Sequence, residues 1–318
     1  MRKFFARHKF DPEVEKRERA KLPEILPLTS DVMFKILFGD ERNKDILADF
    51  LTGVLGFEVK EDDITLLDPH LARDRADDKL GILDVKLKLA SGKFVNIEMQ
   101  VENLKDMRNR IEYYISTMTA RQLKASGDYV ELLPVVAIIV SKQNMLKETT
   151  RFHCEFGTLE KTEHFELHGL RAIHVLELSK LPNVSGKLEN WLKFINSEKK
   201  ENYMRLARKN PLMRKALRVL QLASSDPQTQ EEFLYEKMAR MDERARNAQR
   251  EDDARAEGRA EGIVEGRVEG RAEGVAEGTL KGETKKALEI ANTLKRMGLA
   301  VEQIAEATKL TENEIKNL

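Results

Sequence analysis

The sequence predicts an α/β protein, in which helices flank a mixed central β-sheet and a long helical tail follows. Three observations predict this fold class. Apolar and polar side chains alternate through residues 81–101 on either side of Ser91-Gly92, as they do in a β-hairpin. Residues 131–140 are almost continuously apolar, which is typical of a strand buried on both faces. Residues 230–255 are charged and helix-prone, and a glycine repeat follows them.

Composition narrows the class of protein. The 318 residues carry no net charge, because 55 basic side chains balance 55 acidic ones. We therefore expect any nucleic-acid binding to come from a local patch rather than from the whole chain. Cys154 is the single cysteine, which excludes an intramolecular disulfide. No apolar run approaches the ~18 residues of a membrane span, and the N-terminus lacks a signal-peptide core, so we expect a cytoplasmic protein without membrane contact.

The chain divides into segments of different composition. We expect a basic arm at residues 1–22, the sheet domain at 23–226, a helical region with the glycine repeat at 227–283, and a small helical hairpin or helix-turn-helix at 284–318. The arm has more Lys and Arg than Asp and Glu and could touch a nucleic-acid backbone. We expect it instead to be a loosely packed terminus.

Apolar periodicity and capping residues predict the other elements of the sheet domain. Helices are predicted at residues 29–38, 43–54, 106–125, 187–196, 203–209 and 211–223. Further strands are predicted at residues 58–67, 151–156 and 170–176. The helices between residues 187 and 223 should cover one side of the sheet.

The hairpin carries the candidate functional residues. Its polar side chains share one face of each strand, because side chains alternate with period two: Asp84, Lys86 and Lys88, then Asn96, Glu98 and Gln100. Asp84 can oppose Glu98 or Gln100 only if the loop has an odd length, for instance residues 90–92 or 91–93. Two such carboxylates suit a Mg²⁺ site for phosphodiester hydrolysis, because hard cations take carboxylate oxygens. An amphipathic hairpin with a solvated polar face is the alternative.

Asp84 and the Glu98-Met99-Gln100 that follows, after a helix containing Ser30-Asp31-Val32-Met33-Phe34-Lys35, resemble the PD-(D/E)XK nuclease superfamily. More narrowly, the pattern resembles the bacterial recombination-promoting nuclease or putative transposase family. The resemblance covers residues 28–142 well and the remainder loosely. It implies a restriction-endonuclease-like core and a Mg²⁺-dependent DNA endonuclease that acts in recombination or transposition. The same oxygen ligands accept Mn²⁺.

The resemblance also implies roles for individual residues. Asp84 and Glu98 would bind the metal, and Asp31 would be a further acid at the rim of the site. Asp31 could equally be a first-turn carboxylate that suits the positive end of its helix. Gln100 stands where the superfamily usually has Lys, and because Gln cannot take a proton it would position water. Proton transfer would then fall to a nearby lysine: Lys86, Lys88 or Lys35.

The tail carries the strongest internal repeat. Glycine recurs every four residues, mostly after Glu: Gly258, Gly262, Gly266, Gly270, Gly274, Gly278 and Gly282. An isolated helix would lose about 1 kcal/mol per glycine relative to alanine, so we expect a long helix that self-associates, with a flexible linker as the alternative. After a break at Gly298, residues 311–314 form a capping box.

Two other functions remain open from the sequence. The first is a DNA-binding or scaffolding protein that keeps the nuclease fold without turnover and self-associates through the tail. Gln100, the neutral charge and the tail favour it. The second is a regulatory protein that binds DNA through a terminal helix-turn-helix.

Overall fold

The computed structural model describes residues 12–69, 84–101, 106–123 and 127–318. The chain forms two compact units, Met1–Arg240 and Met241–Leu318. None of the helices in the described ranges is both long enough and apolar enough to cross a bilayer.

The described part of the first unit contains one mixed sheet. Its strands are β1 Ile64–Leu67, β2 Val85–Leu89, β3 Phe94–Gln100, β4 Val135–Ser141, β5 His153–Gly157 and β6 Arg171–Glu177. Their order across the sheet is β1-β2-β3-β4-β6-β5. The central strands β3, β4 and β6 run parallel, and the other neighbours pair antiparallel. The predicted mixed α/β sheet is confirmed.

Helices precede, connect and follow these strands. They are α1 Pro12–Arg19, α2 Asp31–Phe38, α3 Lys44–Leu55, α4 Met107–Ala120, α5 Lys187–Ile195, α6 Lys200–Ala207, α7 Pro211–Ser225 and α8 Pro227–Arg296. The first turns of α8 belong to this unit, which ends at Arg240. Phe233, Leu234 and Met238 are buried there.

The sheet separates two apolar clusters. On one face, the apolar side chains of β2 and β3 pack with α2, α3, α5, α6 and α7. This arrangement confirms that the helices between residues 187 and 223 cover one side. On the other face, α4 contributes Ile111 and Ile115 to a cluster with Val135 and Ile139. Every residue of β4 is buried, as the apolar run predicts, because its side chains enter both clusters alternately.

The loop of the β2–β3 hairpin sets the strand register. Leu89 N–H donates to the Lys93 carbonyl at 2.9 Å, which leaves residues 90–92 as a three-residue loop. Gly92 lies in this loop at φ +90°, a backbone conformation that glycine adopts without strain. Val85 consequently pairs with Ile97. The predicted odd loop length is confirmed.

Two predicted elements are shorter in the structure, and local side-chain contacts explain both. The strand predicted at residues 58–67 begins only at Ile64, because a 3₁₀ turn precedes it and Asp63 Oδ2 accepts the Lys60 N–H at 3.0 Å. The helix predicted at residues 106–125 ends at Ala120. Beyond it, the Gln122 amide both donates to and accepts from the Leu133 backbone, at 3.0 and 2.7 Å.

The described part of the basic arm is helical and mostly exposed, with one buried side chain that contacts α8. Helix α1 carries Glu18, which is 5% exposed and accepts from Lys237 at 2.7 Å and from Lys21 at 3.0 Å. These two lysines hold the pKa of Glu18 well below its ordinary value, at about 2. Residues 1–11 lie outside the described residues.

The second unit contains the rest of α8, followed by α9 Val301–Thr308 and α10 Glu312–Lys316. Helix α8 is 70 residues long and passes through the whole glycine repeat, which supports a helix rather than a flexible linker. Gly298 adopts φ +84° after α8, and the capping box forms between Thr311 and Glu314. Ala291, Ile304 and Ile315 form a small core. Helix α10 has five residues.

Candidate active site

The polar side chains in the middle of β3 are buried. Val85 and Ile97 belong to the cluster on one side of the sheet, so the alternating Asn96 and Glu98 point to the side covered by α4. Asn96 is 2% exposed and Glu98 is 5% exposed. The alternative of a fully solvated polar face does not hold at Asn96 and Glu98, whereas Lys86 and Lys88 of β2 are half-buried.

Asp84 lies immediately before β2, where the strand register brings it opposite Glu98. Its Oδ2 accepts the Met99 backbone N–H at 2.8 Å, which ties the carboxylate to the neighbouring strand. Its Oδ1 lies 3.2 Å from the Lys35 ammonium of α2. Both oxygens of Asp84 thus have a partner. One of these partners, Lys35, comes from helix α2 rather than from the hairpin.

Glu98 has a buried oxygen without a hydrogen-bond partner among the described atoms. This oxygen is Oε1, and the same is true of Asn96 Oδ1. Burial, and to a lesser extent the charge of Asp84, raise the pKa of Glu98 to about 8. The charge of Arg110 on α4 and a hydrogen bond from Asn96 oppose this rise. A buried carboxylate with an unpaired oxygen is costly unless a cation accompanies it.

Asp84 responds to the same surroundings. Burial raises its pKa, and the charge of Asp31 raises it further, whereas Lys35 and the Met99 N–H lower it. Asp31 thus raises the pKa of Asp84, and Asp84 raises the pKa of Glu98. Such shifts occur where negative charges lie close together.

The donor set fits a hard divalent cation. Asp84 and Glu98 together offer carboxylate oxygens, one of them without a partner among the described atoms. The described ranges contain no cluster of three or more His, Cys, Asp or Glu side chains that could hold a metal ion. Mg²⁺ tolerates such a sparse set, because it keeps several waters and binds through one or two carboxylates.

Lys86 and Lys88 have different surroundings, although they share a strand face. Lys86 is half-buried opposite Asn96. Burial lowers its pKa, the charge of Asp68 opposes this shift, and Arg121 adds to it. Lys88 lies near the loop end of the hairpin, with its Nζ 5.2 Å from the centroid of the Phe94 ring. Lys86 is thus the lysine of this strand that lies nearer to Glu98.

The remaining candidates lie at the two ends of the site. Gln100 ends β3, two residues beyond Glu98 on the same strand face. Asp31 is the first residue of α2, and its Oδ1 accepts from Arg240 at 2.8 Å. Its effect on the pKa of Asp84 shows that it also acts electrostatically on the hairpin. Both sequence interpretations of Asp31 therefore have support.

Some residues of the site were not assigned a role from the sequence. Asn96 contacts Glu98 by a hydrogen bond, and its alternation on the polar face of β3 was the available signal. Glu236 and Arg240 on α8 contact Asp31, although they are more than 200 residues away in sequence. No local pattern indicates such a contact.

A family model described as PD-(D/E)XK nuclease family transposase matches residues 28–249. The chain belongs to this family. The mixed sheet with flanking helices is consistent with its restriction-endonuclease-like fold. Neither the curated proteins nor the solved structures contain a significant match to the chain. PD-(D/E)XK nucleases generally use divalent metals, and the family implies DNA as a substrate.

Proposed function

We propose that this transposase-family protein is a divalent-metal-dependent DNA endonuclease that hydrolyses phosphodiester bonds during recombination or transposition. The observation that carries the proposal is the buried Glu98 carboxyl beside Asp84, with one oxygen unpartnered among the described atoms. A chain without need of a cation would gain stability from an apolar or amide side chain at this position.

Asp84 and Glu98 would hold the metal, which is Mg²⁺ with Mn²⁺ as an alternative for the same oxygens. A divalent ion supplies a water of lowered pKa and neutralises charge on the scissile phosphate. The Met99 N–H keeps the Asp84 carboxylate in place, and Asn96 does the same for Glu98. These contacts hold the two ligands before DNA arrives.

The cationic and amide side chains around this pair would act on the substrate. Lys35 lies close enough to Asp84 to contact a phosphate oxygen bound there. Lys86 is suited to proton transfer, because burial lowers its pKa and so favours release of the ammonium proton. Gln100 would orient the attacking water through its amide. Asp31 would adjust the charge at the rim.

The proposal is tested by nicking of supercoiled plasmid with Mg²⁺ or Mn²⁺, with EDTA as the metal-free control. Cleavage that requires the metal, and that is lost when either Asp84 or Glu98 is substituted, supports the nuclease proposal. DNA binding without cleavage in every metal would instead support the scaffolding alternative.

Two lysines on one strand provide a matched test of proton transfer. Lys86→Met is expected to lower the rate of nicking about 100-fold, because a positioned acid or base typically contributes 10² to 10⁴. Lys88→Met should leave the rate within a few-fold of wild type, since Lys88 lies over Phe94 at the loop end. Single-turnover rates at saturating DNA measure both. Equal losses in the two variants would indicate general phosphate binding by the strand instead.

We propose in addition that the tail of one copy associates with the tail of a second. Val264, Val268 and Leu280 are 61–66% exposed, and each lies two residues after a glycine of the repeat. A Cβ at any glycine of the repeat would meet no described atom within 4 Å. Rows spaced by four residues pack in the commonest crossing of two helices, where small side chains permit close backbone approach.

Substitution in the repeat distinguishes a free helix from an associated one. Gly266→Ala should stabilise a free helix by about 1 kcal/mol. Gly266→Leu should weaken association by about tenfold or more, because the side chain prevents close approach. Sedimentation velocity over a concentration series measures the association, with Glu261→Gln on the same helix as the control. A monomeric wild-type protein at all concentrations would contradict self-association.

A further inference from the structure

The first turns of α8 contact the N-terminus of α2. Glu236 of α8 accepts the Asp31 N–H through Oε1 at 3.0 Å and the Val32 N–H through Oε2 at 3.1 Å. The first N–H groups of a helix have no partner within the helix, and the helix end carries partial positive charge. A carboxylate in this position satisfies two of these donors and complements that charge.

Arg240 lies one turn further along α8 and joins two acids. Its Nη2 lies 2.8 Å from Asp31 Oδ1 and 2.7 Å from Glu236 Oε1. The Glu236 side chain is only 11% exposed, and the Arg240 side chain 25%. The three side chains form one network that fixes both the backbone and the side chain of the first α2 residue.

This network is more than α2 needs for stability alone. The helix already has an N-cap, because Ser30 Oγ accepts the Met33 N–H at 3.2 Å. Burying a further carboxylate and guanidinium costs desolvation, which charge pairing often does not exceed. What the network adds is a defined position of α2 relative to α8.

The position of α2 determines the position of Lys35. Lys35 follows Asp31 by four residues, which places it about one helical turn, or ~6 Å, along the axis. Asp31 and Lys35 belong to the same eight-residue helix. A displacement of its first turn therefore displaces Lys35 as well. Lys35 Nζ lies 3.2 Å from Asp84 Oδ1 at the other end of this connection.

We propose that Glu236 is a positioning residue, which acts with Arg240 through α2 to hold Lys35 against Asp84. The inference rests on the proposed nuclease function of the hairpin. It makes the first turns of α8 part of the active-site structure, although Glu236 itself touches neither hairpin carboxylate in the described contacts.

Glu236→Gln tests this role at constant side-chain size. The amide keeps one acceptor oxygen but turns an NH₂ group toward a backbone N–H, so one helix-end contact becomes repulsive. We expect the single-turnover nicking rate to fall about 10- to 100-fold while the Kd for DNA stays within a few-fold. Glu231→Gln, an exposed change on the same helix, should leave the rate unchanged.

Two further measurements separate positioning from a loss of stability. In a Lys35→Met background, Glu236→Gln should cause no additional loss of rate, because its effect passes through Lys35; a general loss of stability would multiply the two effects. Acylation of Lys35, followed by mass spectrometry, should be several-fold faster in Glu236→Gln than in wild type or Glu231→Gln. Arg240→Met is the second variant if Glu236→Gln does not fold, and it should show the same pattern.

A wild-type nicking rate together with wild-type Lys35 acylation in folded Glu236→Gln would overturn the inference. If the wild-type protein cuts no DNA in any metal, the nuclease proposal fails. The acylation of Lys35 still decides whether Glu236 holds it against Asp84. The two failures are therefore distinguishable.

Discussion

Glu98→Gln and Asp84→Asn are each expected to lower the rate of Mg²⁺-dependent plasmid nicking by about 10³-fold or more. Both substitutions preserve side-chain volume and remove a negative oxygen ligand. Glu98 is largely protonated in the metal-free protein at pH 7, since its pKa is about 8. An amide resembles this neutral form, so Glu98→Gln should leave the fold intact. It removes only the carboxylate that would bind the cation.

Asp84→Asn tests the other carboxylate under a different constraint. The amide oxygen can still accept the Met99 N–H, whereas the ion pair with Lys35 is lost. We expect the same loss of nicking, measured at several Mg²⁺ concentrations to show whether more metal restores it. Glu131→Gln, an exposed acid shortly before β4, is the matched control. Nicking that persists at the control rate in both variants would mean that the hairpin is not the catalytic centre.

Local periodicity was sufficient to predict the elements that carry this pair. The alternation in β2 and β3 defines a polar and an apolar face, and Gly92 permits the odd loop that brings the polar faces together. The apolar run of β4 similarly indicates burial on both faces. These features depend on residues that are close in sequence, so they can be predicted from the sequence alone.

The contacts that surround the pair depend on distant residues. The approach of Lys35 to Asp84 and of Glu236 to Asp31 follows from how helices pack on the sheet, which no local repeat specifies. The early end of α4 also depends on a residue distant in sequence, because the Gln122 side-chain amide forms hydrogen bonds with the Leu133 backbone. The sequence could therefore identify the carboxylates, and name Asp31 and Lys35 as candidates, but not the contacts by which Lys35, Asn96 and Glu236 set the charge and position of the site.

Glu98→Gln is also expected to stabilise the metal-free protein, raising its Tm by roughly 5 °C at pH 8 and by little at pH 5. The folded-state pKa of Glu98 is raised above its ordinary value of 4.5 to about 8. Between these pH values the folded protein retains a proton that the unfolded chain releases, so the free energy of unfolding falls as pH rises through this window. The amide that replaces the carboxyl group in the variant does not titrate and avoids the loss.

The difference in Tm between the two proteins, measured from pH 5 to 8.5 in EDTA, reports the titration of Glu98 together with its electrostatic interaction with Asp84. Burial also raises the pKa of Glu236, to about 7, but Glu236 lowers stability with rising pH in both proteins alike. Added Mg²⁺ should raise the Tm of the wild type at pH 8, because binding to the folded state replaces the proton on Glu98, and should have little effect on the variant. Parallel pH profiles with an equal Mg²⁺ response would show that Glu98 neither carries the raised pKa nor binds the ion.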